Sequence, residues 1–306
     1  MPVFITALLS ACASTPENPP PELLSDANTL IDNGVTQYNQ ANFSKANELF
    51  EQAMYLYRSI DNPRGTASSY IDLAKSALGQ NRIASAERWI QKAQTIVNFE
   101  HLTTLQDHIT IILSSIAIEK SDFSRAKKLL APLLEPGSST NASTRLAAMQ
   151  NRTRIAFAEN NNAAEWTEHY AKLVNSNQPL AEARLARFRA ALGTSQSEQD
   201  TYYQQALDTY RKLAWRPGLA ATLSEWAGKN IKAHDYAAAK NRLERALLIR
   251  LDLRDNHDTI AVLTQLKDVY SKLGQTARQQ HAAYWSTQIS KDHFDSWDEV
   301  LKDFES

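Results

Sequence analysis

Residues 42–54 read NFSKANELFEQAM, and Phe43, Ala46, Phe50 and Ala53 follow one another at spacings of 3, 4 and 3. A helix turns once in about 3.6 residues, so these four side chains share one face. Forty residues on, the same places hold Ile83, Ala86, Ile90 and Ala93, and forty further Phe123, Ala126, Leu130 and Leu133. The series continues with Ala163, Trp166, Tyr170 and Leu173, then Tyr203, Ala206, Tyr210 and Leu213. One unit then arrives seven residues early, at Tyr236, Ala239, Leu243 and Ala246. A weak last copy falls at Thr276, Gln279, Ala283 and Ser286.

A second amphipathic stretch precedes each copy, as in residues 66–78, 104–119 and 259–273. Short polar turns such as GQNR (79–82) and KAHD (232–235) separate the two. The links between units echo one another as well. Tyr57-Arg58 leads to Pro63 and Gly65, and Tyr210-Arg211 leads to Pro217 and Gly218. Proline there suits the first turn of the following helix. A single helical pair has two faces to hide and one partner to hide them on. The units therefore have to stack and share a continuous core.

The pattern of a large residue, Ala three later, a large residue four later and Ala three later again resembles the tetratricopeptide repeat (TPR) family in a longer-helix form. The resemblance covers roughly residues 25–292. It implies an all-α fold: a right-handed α-solenoid of about seven TPR-like hairpins, with SWDEVLKDF (296–304) as a capping helix. Unit 4 departs from the pattern, with Trp166 at the small position. Unit 5 carries Gly193 and the polar run TSQSEQ (194–199) where its first helix is expected to continue. Residues 160–200 read either as a hinge between subarrays 25–175 and 176–306 or as ordinary repeat degeneracy.

Bulk composition bounds the partners. The chain has 306 residues, 22% charged and 43% hydrophobic, with a net charge of −1. No global field draws it to nucleic acid. No stretch reaches the ~18 to 20 apolar residues of a membrane-spanning helix. One cysteine excludes an intramolecular disulfide framework.

That cysteine is Cys12, which follows Leu9, Ser10 and Ala11 at the end of a short, uncharged apolar run and precedes the proline-rich STPENPPPE (14–22). Leu9-Ser10-Ala11-Cys12 resembles the bacterial lipobox. The resemblance implies a signal peptide over 1–11, a lipidated Cys12 with a tether over 12–24, and attachment to the periplasmic face of the outer membrane. Acyl chains contribute ~0.8 kcal/mol per buried methylene, so several together anchor stably. The other reading is a frayed apolar terminus on a cytoplasmic protein.

In TPR proteins the first helix of each pair lines the concave wall. Carrying that phase over puts Ile31, Ile71 and Ile111 at one inward position, Val35, Lys75 and Ser115 four residues on, and Tyr38, Leu78 and Ile118 in a third row. An apolar stripe of this kind suits a protein or peptide ligand, including the apolar face of an amphipathic helix. The alternative is that these side chains belong to the core. The Lys/Asn clamp typical of the family is missing. Arg184, Arg187 and Arg189 with Phe188, and Arg152 with Arg154, read as solvated helix faces.

Nothing in the chain reads as a catalytic, metal or cofactor site. The seven histidines form no HExxH and have no cysteine at zinc spacing, and no phosphate loop or GxSxG occurs. The expected function is a lipid-anchored periplasmic scaffold that binds protein partners in envelope assembly or cell-wall processes. The alternatives are a cytoplasmic TPR regulator and, more remotely, a cell-wall-active enzyme.

Overall fold

A computed structural model describes residues 21–291 and 294–305, and among these all regular structure is α-helical. The first eight helices are α1 (Glu22–Asn39), α2 (Phe43–Ser59), α3 (Pro63–Gly79), α4 (Ile83–Phe99), α5 (Thr103–Glu119), α6 (Phe123–Leu134), α7 (Ala142–Ala158) and α8 (Ala163–Ala171). The rest are α9 (Pro179–Leu192), α10 (Gln196–Lys212), α11 (Arg216–Lys232), α12 (Tyr236–Leu253), α13 (Asn256–Lys272), α14 (Thr276–Ile289) and α15 (Trp297–Glu305). Each odd-numbered helix up to α13 packs against the next even one, and each even helix up to α12 against the following odd one, as in an α-solenoid. The last helix, α15, folds back on α12. Cys12 and the Leu9–Ala11 motif lie outside the described residues, as does His293.

The forty-residue period comes from the turns. Helices of 17 residues alternate with three-residue links, so one left-handed residue recurs every twenty positions. These are Ala41, Asp61, Asn81, His101 and Ser121, and later Ala214, His234, Arg254 and Gly274. At each, the next N–H reaches back to a carbonyl in the last turn of the finished helix. Asn62 N–H donates to Tyr57 O at 2.8 Å and Trp215 N–H to Tyr210 O at 2.9 Å. This closes the helix C-terminus in the Schellman manner. The same residue often caps the next helix, as where Asn62 Oδ1 accepts from Gly65 N–H at 2.9 Å. The echo between links has a steric cause. A Cβ on Gly65 would lie 2.3 Å from the Tyr57 ring, and one on Gly218 would lie 2.6 Å from Tyr210.

Ala46, Ala86, Ala126, Ala206 and Ala239 have no exposed surface, and Phe50, Ile90, Leu130 and Leu243 are buried on the same faces. Full burial of one such large side chain contributes roughly 1.5–3 kcal/mol.

Three expectations of register are corrected. The even helices start at 43, 83, 123, 163, 196, 236 and 276, so the short step falls between α8 and α10, not between the fifth and sixth units. Tyr203 therefore sits where Phe50 does in its own helix, and Tyr210 where Tyr57 does. Seven residues are almost two helical turns, so the displacement leaves the apolar face unchanged. In α8 the buried residues are Thr167 and Tyr170, and Trp166 is half-buried beside them. Its ring takes the Arg152 guanidinium at 4.1 Å, while Thr153 Oγ1 donates to Trp166 O at 3.1 Å. In α14 the buried face is Ala282, Trp285 and Ile289, one residue away from the expected set.

The run 194–199 is likewise no interrupted first helix. It opens α10, with Ser195 Oγ accepting from Glu198 N–H at 3.2 Å and Glu198 Oε2 accepting from Thr194 N–H at 3.0 Å. Such a reciprocal exchange is a helix start signal.

Candidate functional site

The odd-numbered helices from α3 to α11 share one cavity and form its inner wall. In the first half the odd-numbered helices touch directly, α1 on α3, α3 on α5 and α5 on α7. Further along, long side chains span the gaps. Phe157 of α7 stacks on Phe188 of α9, with centroids 5.4 Å apart and planes 13° from parallel. Arg184 Nη1 donates to Gln150 Oε1 at 2.9 Å, and Lys229 Nζ donates to Ala191 O at 2.8 Å. The space left is a cavity of about 620 Å³. Its polar wall comes chiefly from Gln150, Arg154, Arg184, Arg187 and Glu225.

The charges on this wall are mostly matched. Arg154 Nη2 meets Glu119 Oε1 at 2.6 Å, and Arg187 pairs with Glu225. Burial works against the Arg187 charge, but Glu225 and the Tyr210 hydroxyl outweigh it and hold the guanidinium above its ordinary value. Arg184 is different. Its hydrogen-bond partner is a neutral amide, and among the described residues no carboxylate reaches it. Its charge acts on Tyr38, whose hydroxyl burial pushes up while Arg184 and Lys75 pull it down.

The expected groove residues do not assemble into one surface. Ile71 is 2% exposed and Ile118 8%, and both belong to the core. Ile31 and Ile111 are half-buried against core clusters. Val35 is 38% exposed. Lys75 donates to Asp72 Oδ1 at 3.0 Å. Ser115 Oγ donates to Ile111 O at 3.0 Å and accepts from Asn151 Nδ2 at 2.9 Å. Tyr38 packs on Phe43 and Trp215, and Leu78 lines the cavity. Along α7 the cavity is faced by Gln150, Arg154 and Phe157, while Asn151 and Ile155, forty residues on from Ile111 and Ser115 in the carried-over rows, are buried. On α7 the inward row is thus one residue earlier than the carried-over phase, whereas on α3 the expected Leu78 does line the cavity. A turn of about 100° per residue makes a one-residue shift the difference between wall and core. Arg184, Arg187 and Phe188 were legible as a cluster in EARLARFRA, but nothing local shows that they face inward.

The far rim is acidic. Arg250 Nη1 bonds Asp255 Oδ2 at 2.9 Å, and Arg250 Nη2 bonds Asp258 Oδ2 at 2.6 Å. Burial, then the neighbouring Asp258, push the Asp255 carboxyl up to about 6, against Arg250, the Asp258 N–H and His257. A carboxyl raised on folding binds its proton more tightly in the native state. Its stabilising effect is therefore complete below the unfolded value near 3.8 and is lost as pH rises through about 6. Asparagine can keep the cap on α13 that Asp255 Oδ1 provides. Asp255→Asn is expected to become more favourable relative to wild type by up to ~3 kcal/mol between pH 4 and pH 7, read from urea melts at each pH. A pH-independent difference would show that Arg250 cancels the burial effect.

Among the described residues no three His, Cys, Asp or Glu side chains lie together as a metal site, and no helix is long and apolar enough to cross a membrane. The architecture and cavity define the class: an all-helical array of paired helices with a recessed, charged inner wall. The chain matches no protein-family model, and a search of curated proteins finds no relative.

Proposed function

We propose that the protein is a TPR-type scaffold, a right-handed superhelix of about seven hairpins, whose cavity holds an acidic peptide segment of a protein partner. The observation that carries this reading is Arg184, a cation on the inner wall without a carboxylate partner. A carboxylate brought to it gains a charge-assisted hydrogen bond, and the stacked Phe157 and Phe188 offer an apolar surface beside it. Lipid attachment at Cys12 holds the scaffold on the periplasmic face of the outer membrane, where its work is positioning partners in envelope assembly or cell-wall processes.

A photocrosslinking amino acid in place of Ala221, on the cavity wall, is expected to trap a discrete partner in intact cells. Arg184→Glu is expected to reduce the adduct at least ~10-fold, since one charge-assisted hydrogen bond contributes ~1.5–3 kcal/mol. Adducts from exposed Glu51 on α2, with none from Ala221, would move the binding face to the convex side. Radiolabelled palmitate incorporation, compared between wild type and Cys12→Ser, tests the anchor independently.

A further inference from the structure

The tip of the first hairpin rests on a link far along the chain. The turn between α1 and α2 meets the turn between α10 and α11. Ala41 and Phe43 are buried there with Tyr210, Trp215 and Ala206. Trp215 lies 5.7 Å from Tyr38 and 6.2 Å from Phe43, the latter edge-on at 85°. Arg216 Nη2 donates to Ala41 O at 2.9 Å across a separation of 175 residues.

We infer that this junction is a clasp that closes the cavity and opens to admit the bound segment. Three features support this. First, both turns are complete without each other: Asn42 N–H returns to Gln37 O and Trp215 N–H to Tyr210 O, so parting them breaks no helix-end bond. Second, no helix of the first hairpin packs along α10 or α11, and what joins the two turns is one hydrogen bond and the contacts of Trp215 with Tyr38 and Phe43, so Trp215 carries most of the area that opposes separation. Third, Tyr210 and Trp215 belong to both the junction and the cavity wall. Opening the clasp therefore remakes the wall itself. The nine-residue α8, where the array takes its short step, is the place for the compensating rotation.

The gating role rests on the cavity being the binding site, so its test needs no partner. In full-length protein carrying Cys12→Ser, spin labels at exposed Gln40→Cys and Lys212→Cys report the gap, and a separate Ala221→Cys reports cavity access to a bulky maleimide. Trp215→Ala is expected to lengthen the Gln40–Lys212 distances and speed the alkylation ~10-fold, the population change that ~1.4 kcal/mol produces. Arg216→Ala is the milder variant and decides the matter if Trp215→Ala loses helicity. Unchanged distances and unchanged alkylation in a variant with native circular dichroism would overturn the clasp. The Ala221 photocrosslink would survive that result, because it depends on the cavity alone.

Discussion

Ile71→Asp is expected to lose most of its urea resistance, with helicity collapsing at a far lower midpoint than in wild type. Ile71 is 2% exposed and sits among Phe50, Leu73, Ile90 and Ile109 in the core that joins the first three pairs. Removing a buried Ile side chain costs roughly 2–5 kcal/mol through lost transfer energy and the cavity left behind. The new carboxylate must then ionise without a partner or take up a proton, at a further cost of a few kcal/mol. The sum approaches the ~5–15 kcal/mol that stabilises a domain. In a stacked array it falls on the interfaces to both neighbours. Val35→Asp, at 38% exposure, serves as the comparison and is expected to change stability by under ~1 kcal/mol. If Ile71→Asp kept its midpoint and lost only partner capture, Ile71 would face the groove, and the inner row would lie on a different face of α3.

Ala126→Trp is expected to destabilise by about 3 kcal/mol or more, while Trp166→Ala costs about 1 kcal/mol. The forty-residue pattern makes these positions equivalent, so the contrast tests which helix face the structure assigns. Ala126 has no exposed surface between α6 and its neighbours, and an indole there forces shifts in a packed interior. Trp166 is only half-buried, with Thr167 buried in its place. What Trp166 supplies is a face for Arg152, a contact of ~0.5–2 kcal/mol. Equal costs measured by chemical denaturation would mean that α8 keeps the register of the other even helices.

The two inner-wall regimes bear on function in different ways. In the first half, successive odd-numbered helices from α1 to α7 touch directly. From α7 onward, Arg–Glu pairs and aromatic stacking hold the helices and leave room between them. The cavity forms where side chains, not close-packed backbones, span the wall. The arginine-rich stretch 182–190 is thus not a solvated face: Arg184 and Arg187 point into the cavity.

The amino-acid sequence by itself determined that the chain is helical, that its helices come in pairs of forty residues, and that the alanines of the regular copies are buried. Those properties are local and repeat, and Ala46, Ala86, Ala126 and Ala206 carry them without reference to anything distant. Tertiary structure alone decided three others. The seven-residue step could stand in either of two places, because a heptad returns nearly the same face. The inner row at Gln150, Arg154 and Phe157 differed by one residue from the expected row, because neighbouring rows of an apolar helix look alike until something packs on one of them. The junction of Ala41 with Arg216 leaves no periodic trace, since it depends on curvature summed over many small rotations between pairs, and no single repeat encodes that sum.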